Sequence, residues 1–221
     1  MEILLSAKNI SKTFQGRRVL DNIDIEINNA EIVAISGPSG AGKTTLLNIL
    51  STLDKPDESN KSSLIIDNEE IFSLGKNGLA KLRNQKIGFV FQFHELIPEL
   101  NVLENVCLPG WIKNDNDVKK KAEELLKYFG LEDFTYKKPL TLSGGEKQRV
   151  AIARSLVNNP KIIFADEPSG NLDSENAEIL HQLFFTLRNK SGCSFVIVTH
   201  NKDLTKKSDQ IISLKDEKII K

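Results

Sequence analysis

Four short runs, EIVAIS (31–36), KIGFVF (86–91), KIIFA (161–165) and SFVIVT (194–199), carry apolar residues without alternation. Continuous hydrophobic runs of this length fit parallel strands buried on both faces. Each run hands over to a chemically capable residue at its carboxyl end: GPSGAGKTT, Gln92, Asp166-Glu167 and His200. Ligands of open parallel sheets bind beyond that edge, so the four ends point to one site. VLDNIDIEIN (19–28) behaves differently. Ile23, Ile25 and Ile27 alternate with Asp24 and Glu26, the pattern of a half-exposed antiparallel strand. In residues 114–130, Val118, Ala122, Leu125, Leu126 and Phe129 share one helical face, and Gly130 supplies a stop. A helix is expected from LSGGEKQR (142–149) through VAIARSLV, ending at Asn158-Asn159-Pro160. Asn101 and Glu104 fit the caps of a short helix with Val102, Leu103 and Val106 on its face. No internal repeat, low-complexity tract or flexible linker interrupts the pattern.

Length and composition narrow the class. The 221 residues suit one α/β domain, and 39% apolar with 27% charged residues describes a water-soluble globular chain. Thirty basic residues balance 30 acidic ones, which gives no reason to expect nucleic acid as a partner. Cys107 and Cys193 lie in apolar surroundings and read as reduced packing residues. EILLSAKNISKTF lacks the basic-then-apolar layout of a signal peptide. The apolar runs fall short of the ~20 residues a membrane helix needs, so any membrane role requires another chain.

GPSGAGKT, Gly37 to Thr44, has the form G-x-x-x-x-G-K-[ST] between a buried strand and a helix, TTLLNIL. Glycines let successive backbone N–H groups turn inward around phosphates, and the helix that begins at Lys43-Thr44 directs its positive end at them. Lys43 would reach the β- and γ-phosphates, and the Thr44 hydroxyl would bind Mg²⁺. Asp166 fits a direct or water-mediated Mg²⁺ contact, and Glu167 fits the residue that polarises the attacking water. The plain alternative for both acids is capping of the next helix. His200 is expected at the γ-phosphate or the water, and Gln92 at Mg²⁺ or the water; a structural histidine and a loop amide are the alternatives. Asn201-Lys202-Asp203 lacks the spacer of N-K-x-D, so guanine specificity is unsupported.

LSGGEKQR raises a question that capping alone does not answer. Ser143 and Glu146 fit a capping box. Gly144 and Gly145 then stand inside a helix, where glycine costs roughly 1 kcal/mol relative to alanine. Close approach of something to this backbone would account for them.

Taken with GPSGAGKT (37–44), Gln92, LSGGEKQR (142–149), IIFADEP (162–168), SGNLD (169–173) and His200, the sequence resembles the ATP-binding subunit of ABC transporters over nearly its whole length. The resemblance implies an α/β P-loop NTPase: a RecA-like core with a mainly parallel sheet, an N-terminal antiparallel β subdomain and an inserted α-helical subdomain. It implies one ABC ATPase domain over 1–221, with the core in 1–92 and 160–221 and the helical part in about 93–159. It also implies ATP hydrolysis with Mg²⁺ in a head-to-tail dimer. Each ATP would lie between Gly37, Pro38, Ser39, Gly40, Ala41, Gly42, Lys43, Thr44 and Thr45 of one copy and Ser143, Gly144 and Gly145 of the other. Phe14 resembles the aromatic residue that stacks on adenine, with core packing as its alternative, and Asp173 resembles the loop acid that couples the two sites. Residues 92–112 would receive a helix of an integral membrane permease. Within the family, QFHELIPELNVLENV resembles the ATPases of bacterial lipoprotein-releasing systems. SGNLD is shared with macrolide- or peptide-export and cell-division ATPases, which stay open as alternatives. The expected location is the cytoplasmic face of the bacterial inner membrane, as a peripheral subunit.

Overall fold

The computed structural model describes residues 2–58 and 61–220. Its strands are β1 (Ile3–Phe14), β2 (Arg17–Asn28), β3 (Ile32–Ser36), β4 (Ser63–Ile66), β5 (Glu69–Glu70), β6 (Ile87–Val90), β7 (Ile162–Asp166), β8 (Ser194–Val198), β9 (Gln210–Lys215) and β10 (Lys218–Ile220). Its α-helices are α1 (Lys43–Leu50), α2 (Lys76–Lys86), α3 (Val102–Ile112), α4 (Val118–Tyr128), α5 (Gly144–Leu156), α6 (Ser174–Ser191) and α7 (Lys202–Lys207).

The four continuous apolar runs are β3, β6, β7 and β8 of one sheet, in the order β10-β9-β3-β8-β7-β6. All pairs from β9 to β6 are parallel, and β10 adds an antiparallel edge. Burial on both faces explains the missing alternation. Ile163, Ala165, Phe195 and Ile197 point into one apolar cluster, with residues of α3, α4, α5 and α6. Ile162, Phe164, Val196 and Val198 point into another, with residues of α1, β1 and β2. The alternating run belongs to the second sheet, order β2-β1-β4-β5, all antiparallel. There Ile23, Ile25 and Ile27 are buried and Asp24 and Glu26 are exposed.

Register decides which residues meet at the carboxyl edge. Ile35 pairs with Val198, Asp166 with Val198 and Ala165 with Val90. Ser36 therefore leaves its strand beside Thr199, and Phe91-Gln92 leave theirs beside Asp166-Glu167. A slip of one residue would turn these side chains to the opposite face.

The helical segment also follows the sequence pattern. Asn101 and Glu104 form a reciprocal capping box at the start of α3. Val118, Ala122, Leu126 and Phe129 are buried and Leu125 is partly so. Gly130, at φ 64°, follows the end of α4. Helix α5 stops at Leu156, just before Asn159 at φ 53° and Pro160. Local pattern did not announce β1, β4, β5, β9, β10, α2, α6 or α7. Both cysteines are free and buried, and burial pushes the thiols up, to about 11 for Cys107 and about 12 for Cys193. Among the described residues no helix is long and apolar enough to cross a membrane.

One buried amide shapes the stretch between β6 and α3. Asn105 Nδ2 donates to the carbonyls of Ile97 (3.0 Å), Leu100 (3.2 Å) and Asn101 (3.0 Å), while its Oδ1 accepts from Ile97 N (2.8 Å). Asn105→Leu would leave the Ile97 amide and the Leu100 carbonyl without partners, while the Ile97 and Asn101 carbonyls keep their backbone bonds from Leu100 N and Asn105 N. It should lower the unfolding free energy by about 3 kcal/mol, read from urea denaturation followed by circular dichroism.

Candidate active site

The loop after β3 is threaded through a space that admits only glycine at two points. Gly37 has φ 149°, and a Cβ there would collide with the Leu214 carbonyl oxygen of β9. Gly42 has φ 94°, and a Cβ would lie 2.9 Å from Val19 of β2. Strands from both sheets thus press the loop into its curve. Lys43, 7% exposed, folds back over it, and Nζ donates to the carbonyls of Gly37 and Pro38 at 3.0 Å each. Helix α1 has no side-chain cap and no acidic residue in its first turn. Its first amides and its positive end are therefore available to an anionic ligand.

Two pairs of polar side chains meet beside this loop. The Thr44 hydroxyl donates to Asp166 Oδ1 at 3.4 Å. Burial raises the Asp166 carboxyl pKa above its ordinary value, opposed by the Thr44 hydrogen bond and the charge of Lys43. A hydroxyl and a carboxylate this close are hard oxygen donors. They suit Mg²⁺, which takes few protein ligands and completes its shell with phosphate oxygens and water. In the second pair, Glu167 Oε1 lies 3.2 Å from His200 Nε2. Glu167 has φ 45°, rare for a residue with a side chain, and its amide donates to the Val198 carbonyl at 3.0 Å. The strand end is thereby bent so that the carboxylate projects toward the imidazole, which is itself 60% exposed in side-chain terms. A cavity of about 400 Å³ includes Glu167 and His200 in its lining, and another of about 360 Å³ includes Gly37 and His200. The histidine borders both.

Gln92 takes a different place from Thr44 and Asp166. Its Nε2 lies 3.0 Å from where a Cβ of Gly170 would stand, and its carbonyl accepts from Asn171 Nδ2 at 2.9 Å. It hydrogen-bonds neither Thr44 nor Asp166 here; it braces the loop that follows Glu167. Asn171 lies in the SGNLD motif, but nothing in that motif signalled this pairing. Asp173 caps α6, accepting from Asn176 N and Nδ2 at 2.8 Å each, and these bonds hold its carboxyl pKa low. Phe14 is 47% exposed at the β1–β2 turn, with Lys12 Nζ 5.1 Å from its ring centroid. That exposure is incompatible with the core-packing alternative.

Ser143 caps α5 as the capping box requires. Glu146 N donates to Ser143 Oγ at 3.3 Å, and Glu146 Oε2 accepts from Ser143 N at 2.7 Å. Backbone donation from Ser143 keeps the Glu146 carboxyl pKa below its usual value. The two glycines behind the cap are not required by the chain itself. A Cβ at Gly144 would meet nothing within 4 Å, and one at Gly145 would make only ordinary contact, 3.5 Å from Asn176 Oδ1.

A phosphate-shaped loop, an oxygen pair fit for a divalent cation and a Glu–His pair on neighbouring parallel strands define a P-loop nucleotide-binding domain. The family comparison is specific: the ABC transporter model matches residues 20–170, and the chain belongs to the ABC transporter family. It is 49% identical over 220 residues to the lipoprotein-releasing system ATP-binding protein LolD of Bacteroides thetaiotaomicron, covering 99% of this chain and 100% of that one. It is 44% identical to the LolD of Aquifex aeolicus, covering 100% and 97%. Among solved structures, the dimeric post-hydrolysis state of the ATP-binding cassette MJ0796 with ADP and Pi has a TM-score of 0.88 at 43% identity, covering 98% of this chain and 97% of that one. CbiO1 from Clostridium perfringens, part of the ABC transporter complex CbiONQ, also has a TM-score of 0.88, at 28% identity, covering 100% and 88%.

The open space around the signature glycines gives a direct test. Gly144→Ala should stabilise the isolated chain by about 0.5 kcal/mol in urea unfolding, because it removes backbone freedom from the unfolded state without a clash. A loss of stability would mean that the fold itself needs the glycine.

Proposed function

We propose that this chain is the ATP-hydrolysing subunit of an ABC transporter, powering a separate membrane subunit that releases lipoproteins from the cytoplasmic membrane. The observation that carries the hydrolytic reading is the pairing of Glu167 with His200 at the edge where the phosphate loop and the Thr44–Asp166 pair converge. Near full-length identity to lipoprotein-releasing ATP-binding proteins supports the cargo.

In this reading the loop Gly37–Thr45 holds the triphosphate of ATP with its backbone N–H groups, Pro38 having none, and Lys43 moves from the loop carbonyls to the β- and γ-phosphate oxygens. Thr44 and Asp166 would hold Mg²⁺, and Gln92 would reach it or the water after a shift away from Gly170. The metal supplies charge neutralisation on the phosphates. Glu167 accepts a hydrogen bond from the attacking water and orients it in line with the bond to be broken. His200, in contact with Glu167, holds that carboxylate and meets the γ-phosphate. Phe14 offers its exposed face to adenine.

The site is completed in trans. A second copy, head to tail, brings Ser143 and the amides of Gly144 and Gly145, at the N-terminus of α5, against the γ-phosphate. Unused space at both glycines supports this placement, since a side chain there would hold the copies apart. The solved relative MJ0796 is a dimer, and Asp173, capping α6 near Gly145, would feel the partner's site. A permease helix would dock near residues 92–112, where Phe93 is 72% exposed. The subunit would then lie at the cytoplasmic face of the bacterial inner membrane without nucleic acid.

Glu167→Gln should lower steady-state phosphate release by about 10²–10³-fold and accumulate an ATP-bound dimer visible by size-exclusion chromatography. A monomer under ATP would count against the sandwich. Lys43→Ala should abolish tight ATP binding in a filter assay, and unchanged affinity would mean that the phosphate loop is misassigned. Affinity purification from membranes should bring down permease subunits with large periplasmic domains; a hydrolase regulator in their place would move the protein to a division complex.

A further inference from the structure

We infer that His181 is a positioning residue for ATP hydrolysis: it ties the loop bearing Glu167 to α6 through Ser169, and Glu178 one turn away ties α6 to the helix following His200 through Lys207. The inference rests on the reading of Glu167 as the group that orients the attacking water. His181 is 1% exposed on α6, surrounded in sequence by Leu180, Leu183 and Phe184. Its Nε2 lies 3.1 Å from Ser169 Oγ, two residues beyond Glu167. Its Nδ1 lies 4.0 Å from Glu178 Oε2, and Glu178 Oε1 accepts from Lys207 Nζ at 2.9 Å. Lys207 ends α7, the helix that Asn201 caps immediately after His200. Ser169, His181 and Glu178 share the lining of the cavity that also includes Glu167 and His200, whose side chains meet at 3.2 Å.

Packing alone does not account for an imidazole here. A leucine would fill this buried position without the desolvation that burying a polar ring incurs. What the ring adds is a tether, and the loop needs one. A left-handed Glu167 costs on the order of 1 kcal/mol or more and persists only where its surroundings hold it. The other side-chain ties of this loop, Asn171 to Gln92 and Asp173 to Asn176, are exposed. The Ser169 tie reaches the buried interior. Burial lowers the His181 pKa below the usual histidine value, against the pull of Glu178 and Asp203 and with the push of Lys207. The neutral ring can serve the Ser169 hydroxyl as donor or acceptor through Nε2, with the Glu178 carboxylate 4.0 Å from Nδ1.

The test is steady-state phosphate release by the purified full-length chain at saturating and limiting Mg-ATP. His181→Leu should lower kcat by about tenfold with KM for ATP within about twofold, since misplacement acts on the reacting geometry and not on nucleotide binding. His181→Gln, whose amide reaches the same distance, should recover most of the loss. Ser169→Ala, a small change in a partly exposed loop, should reproduce the fall in kcat even if His181→Leu fails to fold. Unchanged kcat in Ser169→Ala, or a leucine defect that glutamine does not rescue, overturns the inference. A Glu167→Gln chain run alongside separates the two readings: if its turnover is lost while His181→Leu and Ser169→Ala turn over normally, only the positioning role falls.

Discussion

Parallel hydrogen bonding among β3, β8 and β7 sets, residue by residue, which side chains share the carboxyl edge of the sheet. Ile35, Val198 and Asp166 stand level across three strands, and Val90 stands level with Ala165 on the next pair. Every later feature of the site depends on that alignment. The phosphate loop, the Thr44–Asp166 pair and the Glu167–His200 pair come from segments more than a hundred residues apart at their extremes, yet they emerge side by side. The register is held because both faces of these strands are buried. A shifted strand would exchange the side chains of one apolar cluster for those of the other.

The burial that fixes the strands also shapes the turns beyond them. Leu214 on one side and Val19 on the other leave the loop after β3 no room for a Cβ at Gly37 or Gly42. Glycines 144 and 145 present the opposite case, since nothing in the chain crowds them. A glycine pair that weakens a helix start without relieving any contact makes sense if the contact lies on another molecule. The proposed head-to-tail dimer supplies one. On that view each copy carries both halves of a site but cannot join its own.

Strain at Glu167 connects the chemistry to the interior. A residue with a side chain in the left-handed region needs its neighbours to hold it there. The Val198 carbonyl, Gln92 through Asn171, and Ser169 through His181 converge on this one short loop. Three elements that meet only in the folded chain thus hold the short loop that carries Glu167.

Much of this was legible in the sequence. Continuous apolar runs named the four buried strands and their order of chemical endings. Alternation over 19–28 named an antiparallel strand, and the capping residues Asn101, Glu104, Ser143 and Glu146 marked helix starts that the structure keeps. These signals are local: burial on two faces, burial on one face and a cap each leave a pattern within a few residues. What only the tertiary structure decided is relational. The exposed ring of Phe14, the bracing of Gln92 against Gly170 and Asn171, and the bond from His181 to Ser169 leave no periodicity in the chain. Each depends on how distant strands and helices are brought into register. An isolated histidine on the apolar face of a helix looks the same in sequence whether it only fills space or holds a loop, and packing alone distinguishes the two.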